Sequence, residues 1–366
     1  MRLTYYRNLD GVRALAALMV MFYHSFRDIH SDNSILRFLS GISEFGQTGV
    51  TLFFVLSGFL ITRILLNTKR DSGYFKNFYV RRILRIFPLY YLFLILYYLV
   101  SPFVLETGWP TLDQQFYYFA YLQNVARTFD WNSLGPHHFW SLAVEEHFYL
   151  FWPLAVYTLT KKGLARFTLA IIIFAMVLRA VMLHLGYSVF IFTFTRFDAL
   201  ALGALLSLME LKNAFRHANA RKYSILLITL LIPILLLWVF FSGLGNDYIQ
   251  NLRYLLLASA FFAFIGMLLS LDEGHIFNRI LKTRFLSYTG RISYGIYVYH
   301  PLVFLICVKY LDTGNVVVNV LISTVCTYTI ATLSYHYFES YFLRLKKHFR
   351  DTKSQREKKQ ICHKPA

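Results

Sequence analysis

The chain has 366 residues, 57% of them hydrophobic and 19% aromatic, with only 15% charged, where a soluble domain carries about 25% charge. So little polar surface excludes water as the only solvent and points to a bilayer. The net charge of +18 would suggest nucleic acid in a soluble protein, but the basic residues cluster between apolar runs, so no nucleic-acid partner is expected.

A helix needs roughly 20 apolar residues to span a membrane. Ten segments approach or reach that length: 11–29, 46–66, 83–104, 145–160, 166–185, 196–211, 223–243, 252–271, 291–311 and 315–337, the fourth and sixth being short. The predicted fold is all-α: a polytopic integral membrane protein with about ten transmembrane helices in one bundle over residues 1–345. Residues 346–366 form a basic tail, too polar to pack, that reads as disordered and lying on anionic lipid.

The first segment, "LDGVRALAALMVMFYHS", follows Arg2 and Arg7 without a suitably placed small-residue cleavage site, and so reads as an uncleaved span. It carries Arg13 and His24, eleven residues apart. That spacing is roughly 16 Å of helix with about 20° of azimuthal difference, so both side chains leave from one face and could line a path across the bilayer. The plainer alternative is that Arg13 snorkels to headgroups and His24 satisfies a neighbouring hydroxyl. In the second segment Ser57-Gly58 reads as a site of close helix packing.

"FYVRRILRIFPLYY" opens the third segment. Arg82 and Arg85, three apart, share a helix face, and their donor forks match phosphate oxygens; simple positive-inside anchoring is the alternative. The connection 102–144 is rich in aromatic and amide side chains. A short interfacial helix near 113–124 and a cap over the bundle are expected there.

"HHFWSLAVEEHFYLFWP" then brings Glu145 and Glu146 to the mouth of the fourth segment. A carboxylate there is favoured by the helix dipole, and Glu145 could also orient an imidazole or an acceptor. Ser141 reads as a cap, since no Gly-x-Ser-x-Gly elbow surrounds it. Arg196 and Asp198 read as structural. His300-Pro301 reads as a hydrogen-bonded histidine on a kinked helix. Cys307, Cys326 and Cys362 have no metal-ligand or CxxC spacing, so neither a metal nor a disulfide framework is expected. Walker, dinucleotide and HExxH signatures do not occur.

Basic residues alternate between the two sets of connections. One set holds Arg7, Lys69 and Arg70, Lys161 and Lys162, Arg216 and Arg221, Arg279 and Lys282, and the tail, among others; the other holds only Arg27, Arg37, Arg127, Arg196, Arg253 and Lys309. Both termini are therefore expected on the cytoplasmic side of the cell (inner) membrane.

Taken in order, Arg13-x10-His24, the Gly49–Thr62 segment, Arg82-x-x-Arg85-Ile-x-Pro, Trp140-Ser-Leu-x-Val-Glu145-x-x-Phe-Tyr149, Arg196-x-Asp198 and Gly290-Arg-Ile-Ser-Tyr-Gly-Ile-Tyr-x-x-His300-Pro301 resemble the acyltransferase-3 family over roughly residues 5–343. These are membrane O-acyltransferases of O-antigens, exopolysaccharides, Nod factors and some macrolides. The resemblance implies transfer of an acyl group, usually acetyl, from a cytosolic acyl-CoA to a glycan hydroxyl. It carries the essential Arg-x10-His onto Arg13 and His24, the CoA-side arginine pair onto Arg82 and Arg85, and the acidic motif onto Glu145. The sequence departs from the two-domain subgroup, because only the basic tail follows and no SGNH hydrolase-like domain is expected. It also has Glu339-Ser340-Tyr341 where many members have Glu-x-Pro.

The expected mechanism places CoA phosphates on Arg82 and Arg85, with Arg13 near the pantetheine path. His24 is the general base on the acceptor hydroxyl or, in a variant, a covalent acyl carrier. Glu145 orients the acceptor or the imidazole. The acceptor is a surface glycan or lipid-linked saccharide, with a macrolide or lipid headgroup as further options; membrane lipid is the surrounding partner, and homo-oligomerisation is left open. The competing function is a transporter or flippase of a lipid-linked sugar or anionic small molecule, although neither an internal repeat nor paired broken helices occur.

Overall fold

In the computed structural model, residues 5–349 are described apart from 28, 30, 107 and 242–246, together with the side chains outside 239–248 and 250. Each apolar segment read from the sequence coincides with a helix: α1 (Asn8–Phe26), α3 (Gly49–Thr68), α4 (Tyr74–Leu105), α7 (Trp140–Thr158), α8 (Lys161–His184), α9 (Phe197–Glu210), α10 (His217–Phe241), α11 (Asp247–Ser270), α13 (Arg284–Tyr310) and α14 (Val316–Leu333). Shorter helices join them: α2 (Ser34–Gly46), α5 (Leu112–Phe119), α6 (Gln123–Thr128), α12 (Ile276–Leu281) and α15 (Ser340–Leu345). Among the described residues there is no strand, so the chain is an all-α polytopic membrane protein.

Among the described residues, seven helical stretches are long and apolar enough to cross a membrane: Ser34–Thr68, Tyr74–Leu105, Lys161–His184, His217–Trp238, Asn251–Ser270, Arg284–Tyr310 and Val316–Phe349. The other three predicted segments, α1, α7 and α9, fall outside that set. α9 has only 14 residues, while α1 carries Asp10, Arg13 and His24 and α7 carries Glu145, Glu146 and His147. α1 and α9 pack in the interior, while α7 buries Val144, Phe148 and Trp152 and exposes Leu150, Phe151 and Leu154, so an apolar outer face meets lipid and the polar groups face neighbouring helices.

Small residues set the closest approaches. A Cβ at Gly58 would lie 1.9 Å from the Leu200 carbonyl oxygen, and one at Gly203 would lie 2.0 Å from that of Val55. α3 and α9 therefore meet backbone to backbone, and the Ser57-Gly58 packing role read from the sequence holds for the glycine. Gly290 does the same for α13 and α1, since its Cβ would lie 2.0 Å from the Asp10 carbonyl oxygen. In the most apolar 18-residue window of the α2–α3 stretch 72% of the residues are buried, against 17% in that of α10, so α3 sits at the centre and α10 faces outward.

Arg196 and Asp198 do not pair with each other. Asp198 Oδ2 accepts from Arg179 Nη1 at 2.7 Å, with side chains 2% and 0% exposed. Arg196 donates to Thr51 Oγ1 at 2.9 Å and packs over the Tyr254 ring. Both contacts tie helices together, as the sequence suggested.

The connection after α4 holds two short helices where one was expected. They break at Tyr121, whose φ of 58° is left-handed. The cap is built by hydrogen bonds onto α4: Tyr90 donates to the Tyr118 carbonyl and Tyr98 to the Leu134 carbonyl, at 2.7 and 2.8 Å. This connection delivers buried His138 to the bundle. At the other end, α14 continues through a π-helical turn at Ser334–Glu339 into α15 and a final turn at Lys346–Phe349. The chain thus continues as helix where a Glu-x-Pro exit would break it. Residues 350–366 of the expected basic tail lie outside the described residues.

Candidate active site

Helix periodicity turns Arg82 and Arg85 of α4 to one side, and Arg13 of α1 joins them. These three arginines, with Arg81, Arg291 and Lys346, line a cavity of about 460 Å³ at the basic end of the bundle. Among the described residues of its wall, Asp10 is the one acidic side chain. It is already engaged, accepting from Arg13 Nη1 at 2.7 Å and from the Tyr5 hydroxyl. The remaining positive charge faces the opening, an arrangement suited to a polyanion.

A second cavity of about 200 Å³ shares Arg13, Ile64, Arg82 and Arg85 with the first and so continues it into the bundle. Its deeper wall carries Ser57, Ser141, Glu145, Tyr149 and Tyr297. Ser57 and Tyr149 hydrogen-bond Glu145 and bond each other through their hydroxyls. The Arg82 guanidinium lies 5.6 Å over the Tyr149 ring. Arg82 is thereby braced by an aromatic face as well as poised at the opening.

A third chamber of about 40 Å³ lies beyond, lined by His24, Arg27, His137, His138 and Trp140 among others. It shares Val50 and Tyr297 with the second cavity. Tyr297 donates to the His138 carbonyl at 2.7 Å, and its oxygen lies 2.5 Å from Ser141 Oγ. His24 Nδ1 is 2.9 Å from the Val20 carbonyl and 3.2 Å from His300 Nε2. A chamber of this size holds a hydroxyl or a water, not a sugar ring.

Four of the five site residues expected from the sequence, Arg13, Arg82, Arg85 and Glu145, thus line one cavity, and His24 lies one chamber further on. Glu145 is held by Ser57 and Tyr149, while the imidazole neighbour of His24 is His300. Sequence reasoning gave Tyr149, Tyr297, His138 and Ser57 no role in the site, and it read His300 as a hydrogen-bonded histidine on a kinked helix. The signals available for His300 were its place before a mid-span proline and its place at the end of the Gly290–Pro301 motif. Among the described residues, no three His, Cys, Asp or Glu are grouped to hold a metal ion.

A family model described as an acyltransferase domain matches residues 6–336. The chain is 30% identical over 360 residues to the "Putative peptidoglycan O-acetyltransferase YrhL" of Bacillus subtilis, covering 92% of this chain and 54% of that protein. It is 29% identical over 361 residues to the peptidoglycan O-acetyltransferase OatA of Listeria monocytogenes, covering 92% and 55%. A "Putative O-acetyltransferase" of Staphylococcus aureus is 28% identical over 370 residues, covering 93% and 58%. The chain therefore spans a little over half the length of these curated relatives. No solved structure matches.

Proposed function

This chain belongs to the acyltransferase-3 family, and on that premise we propose that it is an O-acyltransferase moving an acetyl group from acetyl-CoA, or another acyl group from its CoA thioester, to a hydroxyl of a cell-surface glycan. The observation that carries this reading is the run of three adjoining cavities from a mouth of six cationic side chains to His24. In this reading the basic mouth faces the cytoplasm, as do both termini, and the membrane is the cell (inner) membrane. The names of the relatives make peptidoglycan the first acceptor to test.

The phosphates of the donor suit the guanidinium forks of Arg82 and Arg85. Arg13, anchored by Asp10, borders the pantetheine path. The thioester end occupies the second cavity, where Glu145 holds the Ser57 and Tyr149 hydroxyls in place. Tyr297 is the boundary that the acyl group meets next. Beyond it, His24 removes the proton of the acceptor hydroxyl, the oxygen attacks the thioester carbon, and the departing thiolate takes the proton from His24. The sugar ring itself stays outside the small chamber, against the aromatic and amide side chains of the 102–144 connection.

The test is purified protein in lipid nanodiscs with radiolabelled acetyl-CoA and a peptidoglycan fragment. Acetylated glycan and free CoA should form with the wild type and not with His24→Ala. Undiminished transfer by that variant overturns the role of His24. Movement of a saccharide across the membrane without acetyl-CoA consumption overturns the whole reading in favour of a transporter.

A further inference from the structure

Resting on the reading of His24 as the base, we infer that His300 is the positioning residue that holds His24 in its reactive tautomer and accepts its Nδ1–H as charge develops on the ring. The two residues stand 276 positions apart in sequence, on α13 and α1. Their rings approach to 4.9 Å at 61°, and His300 is 1% exposed.

The hydrogen-bond network assigns the protons. His300 Nδ1 lies 3.0 Å from the Ile296 carbonyl, and the ring also bonds the Tyr297 backbone. Pro301 has no N–H, so it leaves the Tyr297 carbonyl without its usual helical donor. Carbonyl oxygens only accept, so His300 carries its proton on Nδ1 and presents a lone pair at Nε2. That lone pair faces His24 Nδ1 at 3.2 Å, and the Val20 carbonyl faces the same nitrogen at 2.9 Å. Both are acceptors. The His24 proton is therefore on Nδ1, shared between them, and Nε2 is its basic nitrogen.

Other groups face the pair. The Tyr23 ring lies 4.9 Å from that of His24. Arg27, His137 and His138 line the same chamber. His138 and Tyr297 lie 5.6 and 5.9 Å from the His300 ring. Among the described residues lining the chamber there is no carboxylate. A neutral imidazole fills the place that a buried carboxylate takes in a serine-hydrolase triad, and it does so without the desolvation cost of a second buried ion.

The step balances. The acceptor O–H bond breaks and its proton goes to His24 Nε2, while Nδ1–H tightens onto His300 Nε2. The acceptor oxygen forms the new bond to the acyl carbon, and the carbon–sulfur bond breaks. The CoA thiolate then recovers the proton from His24 Nε2, so an alcohol and a thioester become an ester and a thiol. His300 gains and loses no proton overall.

The experiment is steady-state kinetics of the full chain in nanodiscs with acetyl-CoA and a peptidoglycan fragment, comparing His300→Phe, His300→Gln, His300→Asn and His24→Ala. Partners that orient a metal-bound histidine contribute roughly 10–100-fold; by analogy His300→Phe should lower kcat by about that factor with KM for acetyl-CoA unchanged. His300→Gln can place an amide oxygen near the former Nε2 and should restore most of the rate. His300→Asn is too short and should not. A wild-type kcat in His300→Phe, with His24→Ala inactive, overturns the inference while leaving the role of His24 standing. An active His24→Ala overturns that role first and the inference with it. Should His300→Phe not fold, the Gln and Asn pair decides: rescue by Gln alone supports the inference, and equal activity of the two overturns it.

Discussion

The Tyr297 hydroxyl donates to the His138 carbonyl at 2.7 Å and lies 2.5 Å from Ser141 Oγ, on the wall shared by the arginine-lined cavity and the His24 chamber. One phenol thus joins α13, α7 and the turn that precedes it at the boundary between the two compartments, which Val50 also lines. On the proposed reading, an acyl group moving from one to the other passes beside it.

Tyr297→Ala should therefore relax selection for a short acyl chain. One methylene in a fitted pocket is worth about 10–200-fold in discrimination, so the kcat/KM ratio of butyryl-CoA to acetyl-CoA should rise by roughly tenfold or more. An unchanged ratio in a variant that still turns over acetyl-CoA would remove Tyr297 from the acyl path.

Arg82 and Arg85 should act in donor binding. Charge-assisted hydrogen bonds contribute about 1.5–3 kcal/mol, so replacing either with Gln should raise KM for acetyl-CoA by about 10–100-fold and leave kcat nearly intact. Arg82→Lys should recover little, because Lys offers no planar fork and loses much of the contact with Tyr149. Isothermal titration with CoA, compared with dephosphorylated pantetheine, checks that the loss follows the phosphates. Equal losses for both ligands would contradict the assignment.

The Arg179–Asp198 pair should matter for stability and not for donor affinity. Its side chains are 0% and 2% exposed, and removing one partner of such a pair typically costs about 3–5 kcal/mol by stranding the other charge. Arg179→Met should lower the melting temperature in detergent markedly. Simultaneous replacement of both residues with apolar side chains should recover much of it. No recovery would mean that the Arg179 bonds to the Thr195 carbonyl and Asn251 carry the stability instead.

A pH effect is expected at the far end of α4. Lys309 donates to Glu106 Oε1 at 2.7 Å and to the Phe103 and Val104 carbonyls at 3.1 and 2.9 Å, closing the last turn of α4. The hydrogen bond and charge of Lys309 hold the Glu106 carboxyl below its ordinary range. A depressed folded-state value means that the contribution is present above the ordinary carboxylate range and is lost as pH falls through the folded value. Wild type and Glu106→Gln should differ slightly in melting temperature near neutral pH and converge in acid. A difference that persisted or grew in acid would contradict this.

Much of the molecule is legible in the sequence. Apolar runs place the helices because a bilayer demands internally satisfied backbone. The eleven-residue spacing of Arg13 and His24 suffices to predict a shared face, because the helical period is a local property. The three-residue spacing of Arg82 and Arg85 does the same at the basic mouth. Periodicity says nothing about which helix stands opposite that face. The close approach of Gly290 to the Asp10 carbonyl presses α13 against α1, and that contact brings His300 within reach of His24. The contact of Gly58 and Gly203 with facing backbone sets α3 at the centre, where Ser57 meets Tyr149 and Glu145. The sequence by itself thus determined the helices, their polar faces and the charges at the basic end. Only the tertiary structure decided that Glu145 joins the arginines and that His24 joins His300, because a partner distant in sequence is chosen by how small residues let backbones approach.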